Sequence, residues 1–132
     1  MKRRVLVVED EPIIRMVLEE VLEEAGWEVV VAKDGQEARA RYTPEVELVL
    51  LDIRLPGVDG VELAEEFLTA RPACRVVVMS GHGTPETVNR ALRVGVCGFL
   101  HKPFSFEDVV SLLDELERGP VTSSARLAAS PF

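Results

Sequence analysis

Short runs of consecutive apolar residues alternate along the chain with longer stretches in which apolar residues recur every three or four positions. Runs such as VLVV (5–8), LVLL (48–51) and VVVM (76–79) show no polar alternation, as expected for central parallel strands covered by helices on both faces. The pattern predicts strands over 4–9, 28–32, 47–51, 75–79 and 98–101. Helix 1 is predicted over 12–25, with Ile14, Val17, Leu18, Val21, Leu22 and Ala25 as its apolar stripe and Glu19, Glu20, Glu23 and Glu24 on the wet face. Helix 2 opens at Asp34 and helix 3 at Asp59, each acid followed by a glutamate three residues on; helix 3 ends before Pro72. Helix 4 runs from Thr84 and Pro85 to Gly95, and helix 5 starts at Ser105, where Asp108 completes a capping box and Phe104 and Val109 form a hydrophobic staple.

Alternating βα units imply an α/β domain with a buried parallel sheet. Five units are complete by residue 118, so 1–118 reads as one domain. The remaining 119–132, GPVTSSARLAASPF, lacks apolar periodicity and reads as a flexible tail. A chain of 132 residues has no room for two full domains, and no output domain is expected beside the first.

Composition narrows the partners. The chain is 47% hydrophobic and 29% charged, as in globular proteins, and its net charge of −8 (23 acids against 15 bases) disfavours binding to nucleic-acid phosphates. The acidity is either a solvated surface or a gathering of carboxylates around a cation. Cys74 and Cys97 match no metal-ligand spacing and read as small hydrophobes in a reducing compartment. Val5 to Val8 is too short for a signal-peptide core and ends in Glu9, Asp10 and Glu11; no longer apolar run spans a membrane, and a cytoplasmic protein is expected.

In an open parallel sheet, ligands bind beyond the carboxyl ends of the strands, where the strand order reverses. There the sequence sets Glu9 and Asp10 after strand 1, Asp52 after strand 3, Ser80 after strand 4, and His101, Lys102 and Pro103 at strand 5. Each alone is an ordinary turn or cap residue. Together, three carboxylates at one rim repel one another unless a cation joins them, and hard oxygen ligands suit Mg²⁺. Asp52 can then attack a phosphoryl group to form an acyl phosphate, with Mg²⁺ and Lys102 neutralising the charge on the equatorial oxygens. The Ser80 hydroxyl and the Gly81 backbone can donate to the remaining phosphoryl oxygen.

The motifs VVEDEP (7–12), LDIRLPGVDG (51–60), VVMSGHG (77–83) and FLHKPF (99–104) are specific as a set, and residues 3–118 resemble a response-regulator receiver domain of two-component signalling, single-domain type. The resemblance implies a flavodoxin-like, doubly wound, five-stranded sheet in the order 2-1-3-4-5. It implies that Glu9, Asp10, Asp52 and the Arg54 carbonyl hold Mg²⁺, and that a histidine kinase or histidine phosphotransfer protein phosphorylates Asp52. The bond before Pro103 is commonly cis in the family. Ser80 and Phe99 match the switch positions: after phosphorylation Ser80 moves in, Phe99 turns inward, and the face of helix 4, strand 5 and helix 5 is re-presented to a protein target. Such a domain is no enzyme toward external substrates, catalysing only its own phosphorylation and dephosphorylation.

Arg54 and His82 match positions flanking the attacking water, and their bulk and charge are expected to alter the phosphoryl lifetime. Ile13 and Met16 lie off the helix 1 stripe, and with Ile14, Pro103 and Phe104 they suggest a docking patch for a partner helix. Arg90 and Arg93 are placed to pair with Asp114 and Glu117 of a neighbouring copy, so the chain is a monomer or a phosphorylation-dependent dimer.

Rival readings fit less well. A haloacid-dehalogenase phosphatase needs a second Asp where Arg54 stands, and Glu-Asp-Glu in the first loop would repel the phosphate of FMN. A receiver-like interaction module that does not use phosphate, or the receiver fragment of a larger regulator or hybrid kinase, remains as an alternative.

Overall fold

A computed structural model describes residues 2–81 and 83–118; His82 and the tail read over 119–132 lie outside the described residues. Five strands, β1 (Arg4–Val8), β2 (Glu28–Ala32), β3 (Val46–Asp52), β6 (Arg75–Ser80) and β7 (Gly98–His101), form a parallel sheet in the order β2-β1-β3-β6-β7. Counted among themselves these are the five predicted strands in the expected 2-1-3-4-5 order. Strand side chains alternate between two cores. Leu6, Val8, Val49, Leu51, Val76, Val78 and Phe99 point to one face, where α2 (Gly35–Arg41), α3 (Gly60–Ala70) and α4 (Pro85–Val94) supply Ala38, Leu63, Phe67 and Ala91. Val5, Val7, Leu48, Leu50, Val77, Met79 and Leu100 point to the other, against Leu18, Val21 and Leu22 of α1 (Pro12–Glu24) and Val109, Leu112 and Leu116 of α5 (Phe106–Glu117). Both faces are dry, which is why the strands are uninterrupted apolar runs.

Helix starts follow the sequence. Asp34 accepts from the Glu37 amide at 2.8 Å, Asp59 from Val61 at 2.8 Å, and Thr84 from Thr87 at 3.2 Å, while Ser105 and Asp108 form the reciprocal capping box. Helix α1 is the exception: its N-cap residue, Glu11, makes no side-chain cap.

Three differences from the sequence reading have physical causes. Residues 54–59 form an antiparallel ribbon of two-residue strands, β4 (Arg54–Leu55) and β5 (Val58–Asp59), closed by Pro56 and Gly57, whose φ of 74° suits the third position of a type II turn. Val17 of the predicted stripe is 43% exposed, and Ile14 is only half-buried, because the first turns of α1 face an open cleft instead of a neighbouring element. Ala25, also assigned to the stripe, lies past the helix end and is exposed, whereas Trp27 two residues on is buried at 4%.

Candidate functional site

The carboxyl ends of β1, β3, β6 and β7 meet at the rim that the strand order selects. Glu9 follows β1 and is fully buried, Asp52 ends β3 at 5% exposure, and Ser80 ends β6 at 1%. Asp10 lies one residue further out and is exposed. Carboxylate oxygens of Glu9, Asp10 and Asp52 all fall within 4.8 Å of one another.

Lys102, just beyond β7, reaches into this group. Its Nζ stands 2.6 Å from Glu9 Oε1 and 2.9 Å from Asp52 Oδ2, and its amide donates to the Ser80 carbonyl at 2.8 Å. The following Lys102–Pro103 peptide is cis. Asp52 Oδ1 accepts from the Arg54 amide at 2.9 Å, and the Ile53 amide donates to the Met79 carbonyl at 3.0 Å, so the chain just past Asp52 is still stitched to β6. Gly60 packs against this segment: its amide donates to the Ile53 carbonyl, and a Cβ there would stand 2.6 Å from the Ile53 backbone. Glycine is therefore required by close approach.

The electrostatics are unbalanced. One ammonium faces two buried carboxylates, with an exposed third beside them. Burial, followed by the nearby Asp52 charge, pushes the Glu9 carboxyl above its ordinary value, against the pull of Lys102 and the Glu11 amide. Burial alone would depress Lys102, but Glu9 and Asp52 outweigh it and hold the ammonium above the usual lysine range. Glu9 Oε1 is completely shielded from water and faces Lys102 as an ion pair, yet makes no aligned hydrogen bond. A buried, under-satisfied anionic oxygen beside two further carboxylates is a donor set for a hard divalent cation. The residues present therefore fit the Mg²⁺ that the sequence suggested.

The remaining expected positions fall as follows. Phe99 is buried at 2%, within the core on the face of the sheet that α2, α3 and α4 cover. Arg54 is exposed at the rim, and its partner in the lifetime argument, His82, lies outside the described residues. Ile14, Pro103 and Phe104 line one cleft of about 600 Å³, together with Ile13, Val17 and Lys102. Its apolar wall carries Ile13 at 72% exposure, and Met16, on the same helix, is 57% exposed.

The sequence reading missed one arginine, Arg15, and gave another, Arg90, a different partner. Arg15 Nη1 donates to the Glu9 carbonyl at 2.8 Å and to the Asp10 carbonyl at 3.4 Å. Arg90 of α4 pairs with Asp59 of its own chain at 2.9 Å, and Glu117 with Arg3, so two of the four residues assigned to contacts between copies are engaged internally. The Asp59 carboxyl, though burial acts to raise it, is held below its ordinary value by Arg90 and the α3 amides. The cysteines are free thiols whose pKa values are raised by burial, as small core residues would be.

A doubly wound parallel sheet with an acidic cluster, able to hold a metal ion, at its carboxyl edge is thus the class of domain defined by fold and site. A model of the response regulator receiver domain matches residues 5–114, and the chain belongs to that family. The chain is 40% identical over 114 residues to the transcriptional regulatory protein PdtaR of Mycobacterium tuberculosis, an alignment covering 85% of this chain and 55% of that protein. This chain therefore spans about half of PdtaR. It is 32% identical over 120 residues to the chemotaxis protein CheY of Thermotoga maritima, covering 89% of this chain and all of CheY. Among solved structures, a CheY-like receiver domain from Methanospirillum hungatei superposes with a TM-score of 0.83 at 28% identity, covering 90% of this chain and all of the other. No helix among the described residues is long and apolar enough to cross a membrane.

Proposed function

We propose that this receiver domain accepts a phosphoryl group on Asp52 from the phosphohistidine of a histidine kinase or histidine phosphotransfer protein. The observation that carries the reading is the convergence of Asp52 with Glu9, Asp10 and Lys102 at one buried rim. An Asp52 carboxylate oxygen attacks phosphorus in line, a P–O bond forms as the P–N bond breaks, and the departing imidazole takes its proton from solvent. Glu9, Asp10, Asp52 and the Arg54 carbonyl would hold Mg²⁺, which supplies charge neutralisation on the phosphoryl oxygens. Lys102 then turns from its ion pair with Asp52 to the phosphoryl oxygen, and the Ser80 hydroxyl with the Gly81 amide completes the cradle.

The cleft lined by Ile13, Ile14, Val17 and Phe104 opens beside this rim, and its apolar wall suits the helix that carries the donor histidine. Phosphorylation shifts the population of the α4, β7 and α5 face, which passes the signal to a protein target. The domain turns over no external substrate and works in the cytoplasm. Arg54 and His82 tune the lifetime of the acyl phosphate.

Mg²⁺ with beryllofluoride, a phosphoryl mimic, should shift the amide resonances of the rim and of α4, and Mg²⁺ with acetyl phosphate should add one phosphoryl group by mass. Asp52→Asn should abolish both responses. An unmodified wild-type protein, unmoved by beryllofluoride, would leave an interaction module that does not use phosphate.

A further inference from the structure

Carboxylate oxygens of Glu9, Asp10 and Asp52 lie within 4.8 Å of one another, a spacing that like charges oppose, so the protein must supply groups that hold them there. Lys102 braces Glu9 and Asp52 from the far side. Asp10 is exposed, follows the last residue of β1 by two, and precedes a helix whose N-cap has no side-chain bond. The turn that carries it is tied by the Glu9 amide to the Ala32 carbonyl at 3.0 Å, by the Glu11 amide to Glu9 Oε2 at 3.1 Å, and by Arg15. Side chains of a helix lean toward its N-terminus, and the half-buried Arg15 follows this direction back over the first turn. There its Nη1 gathers the carbonyls of both acidic residues, two acceptors between the end of the β1 ladder and the start of α1. Pinning those two peptide groups fixes the direction in which the Glu9 and Asp10 side chains leave the backbone.

We infer that Arg15 is a positioning residue of the cation site, a strut that keeps the acidic pair at ligand spacing and lowers the cost of binding the ion. The inference rests on the reading of this rim as a Mg²⁺ site. Groups that orient metal ligands without touching the metal typically change affinity about 10- to 100-fold when removed. A purely electrostatic role has the opposite sign, because deleting a nearby positive charge would tighten cation binding.

Titration calorimetry with MgCl₂ alone, on the full chain, separates these cases. Asp10→Asn should lose most of the Mg²⁺ affinity. Arg15→Gln should weaken it roughly 10-fold with unchanged far-ultraviolet circular dichroism, and Arg15→Lys, which can still donate to a carbonyl, should recover part of the loss. A folded Arg15→Gln that binds Mg²⁺ as tightly as wild type, or more tightly, overturns the strut, even if its melting temperature falls. Wild type binding no better than Asp10→Asn overturns instead the metal site itself. If Arg15→Gln does not fold, the rise in melting temperature produced by Mg²⁺ in Arg15→Lys decides: a smaller rise than wild type supports the strut, and an equal one overturns it.

Discussion

The two ends of the sheet carry comparable numbers of charges and treat them in opposite ways. At the amino ends, Arg3 pairs with Glu117 and Arg4 with Glu28, one base to one acid, and every one of these side chains keeps about a third or more of its surface in water. The Arg3 guanidinium also lies 4.4 Å over the ring of Trp27, which seals that end of the core beneath α1. At the carboxyl ends, Glu9 and Asp52 are buried and share the single ammonium of Lys102, with Asp10 beside them. Exposed one-to-one pairs cost little to form and contribute little. Buried, unequal charges are expensive to desolvate and hold together only through mutual dependence. A fold selected for stability alone has no reason to keep the second arrangement, so the contrast itself points to the carboxyl end as the working one.

The largest test of this contrast is to remove the one cation at the working end. Lys102→Met leaves Glu9 and Asp52 buried and unpaired, and it should lower stability by about 3–5 kcal/mol in metal-free buffer, read by urea unfolding. Adding millimolar Mg²⁺ should return part of the loss, since the ion takes over as counter-charge. A loss below about 1 kcal/mol, the scale of an exposed pair, would place the two ends on the same footing.

A smaller effect has the reverse sign. Asp52→Asn removes one of the crowded acids and leaves Lys102 to Glu9 alone, so the metal-free protein should gain about 1 kcal/mol, a rise in melting temperature of roughly 3–5 °C. With Mg²⁺ present the order should invert, because only the wild type then gains the binding energy of the ion. A variant that melts below the wild type without metal would show that the acids are not in conflict.

How much of this was visible in the chain depends on whether the signal was local. The five strands are consecutive apolar runs and the caps at Asp34, Asp59, Thr84 and Ser105 lie next to the helices they start, so both were readable. The gathering of Glu9, Asp10, Asp52, Ser80 and Lys102 was readable too, because parallel order sends every strand end to one rim. What was not readable is what depends on distance in space. Glu9 and Asp10 are adjacent in sequence and both acidic, yet one is fully buried and the other exposed. Nothing in the local pattern singles out Arg15, and its bonds to the strand-end carbonyls follow from how α1 leaves the turn. Arg90 likewise faced solvent on the helical wheel, while the short β4–β5 ribbon, too brief for any periodicity, delivers Asp59 to it. Val17 kept the helical spacing of a core residue, but there is a cleft where a neighbour was expected.

The smallest expected effect closes the comparison at the quiet end. Glu117→Gln removes the acid that Arg3 reaches while leaving the guanidinium over Trp27, so it isolates the ion pair from the ring contact. The change should cost no more than about 0.5 kcal/mol, and raising the salt to about 0.5 M should erase the difference, because exposed charges are screened within a few ångströms at that ionic strength. The same concentration of a monovalent salt should leave the penalty of Lys102→Met nearly intact, since diffuse screening acts only weakly between buried charges such as Glu9 and Asp52. A Glu117→Gln penalty above about 1 kcal/mol that persists in salt would mean that the amino end is also a coupled network. The carboxyl end would then owe its character to the identity of its residues and not to their burial.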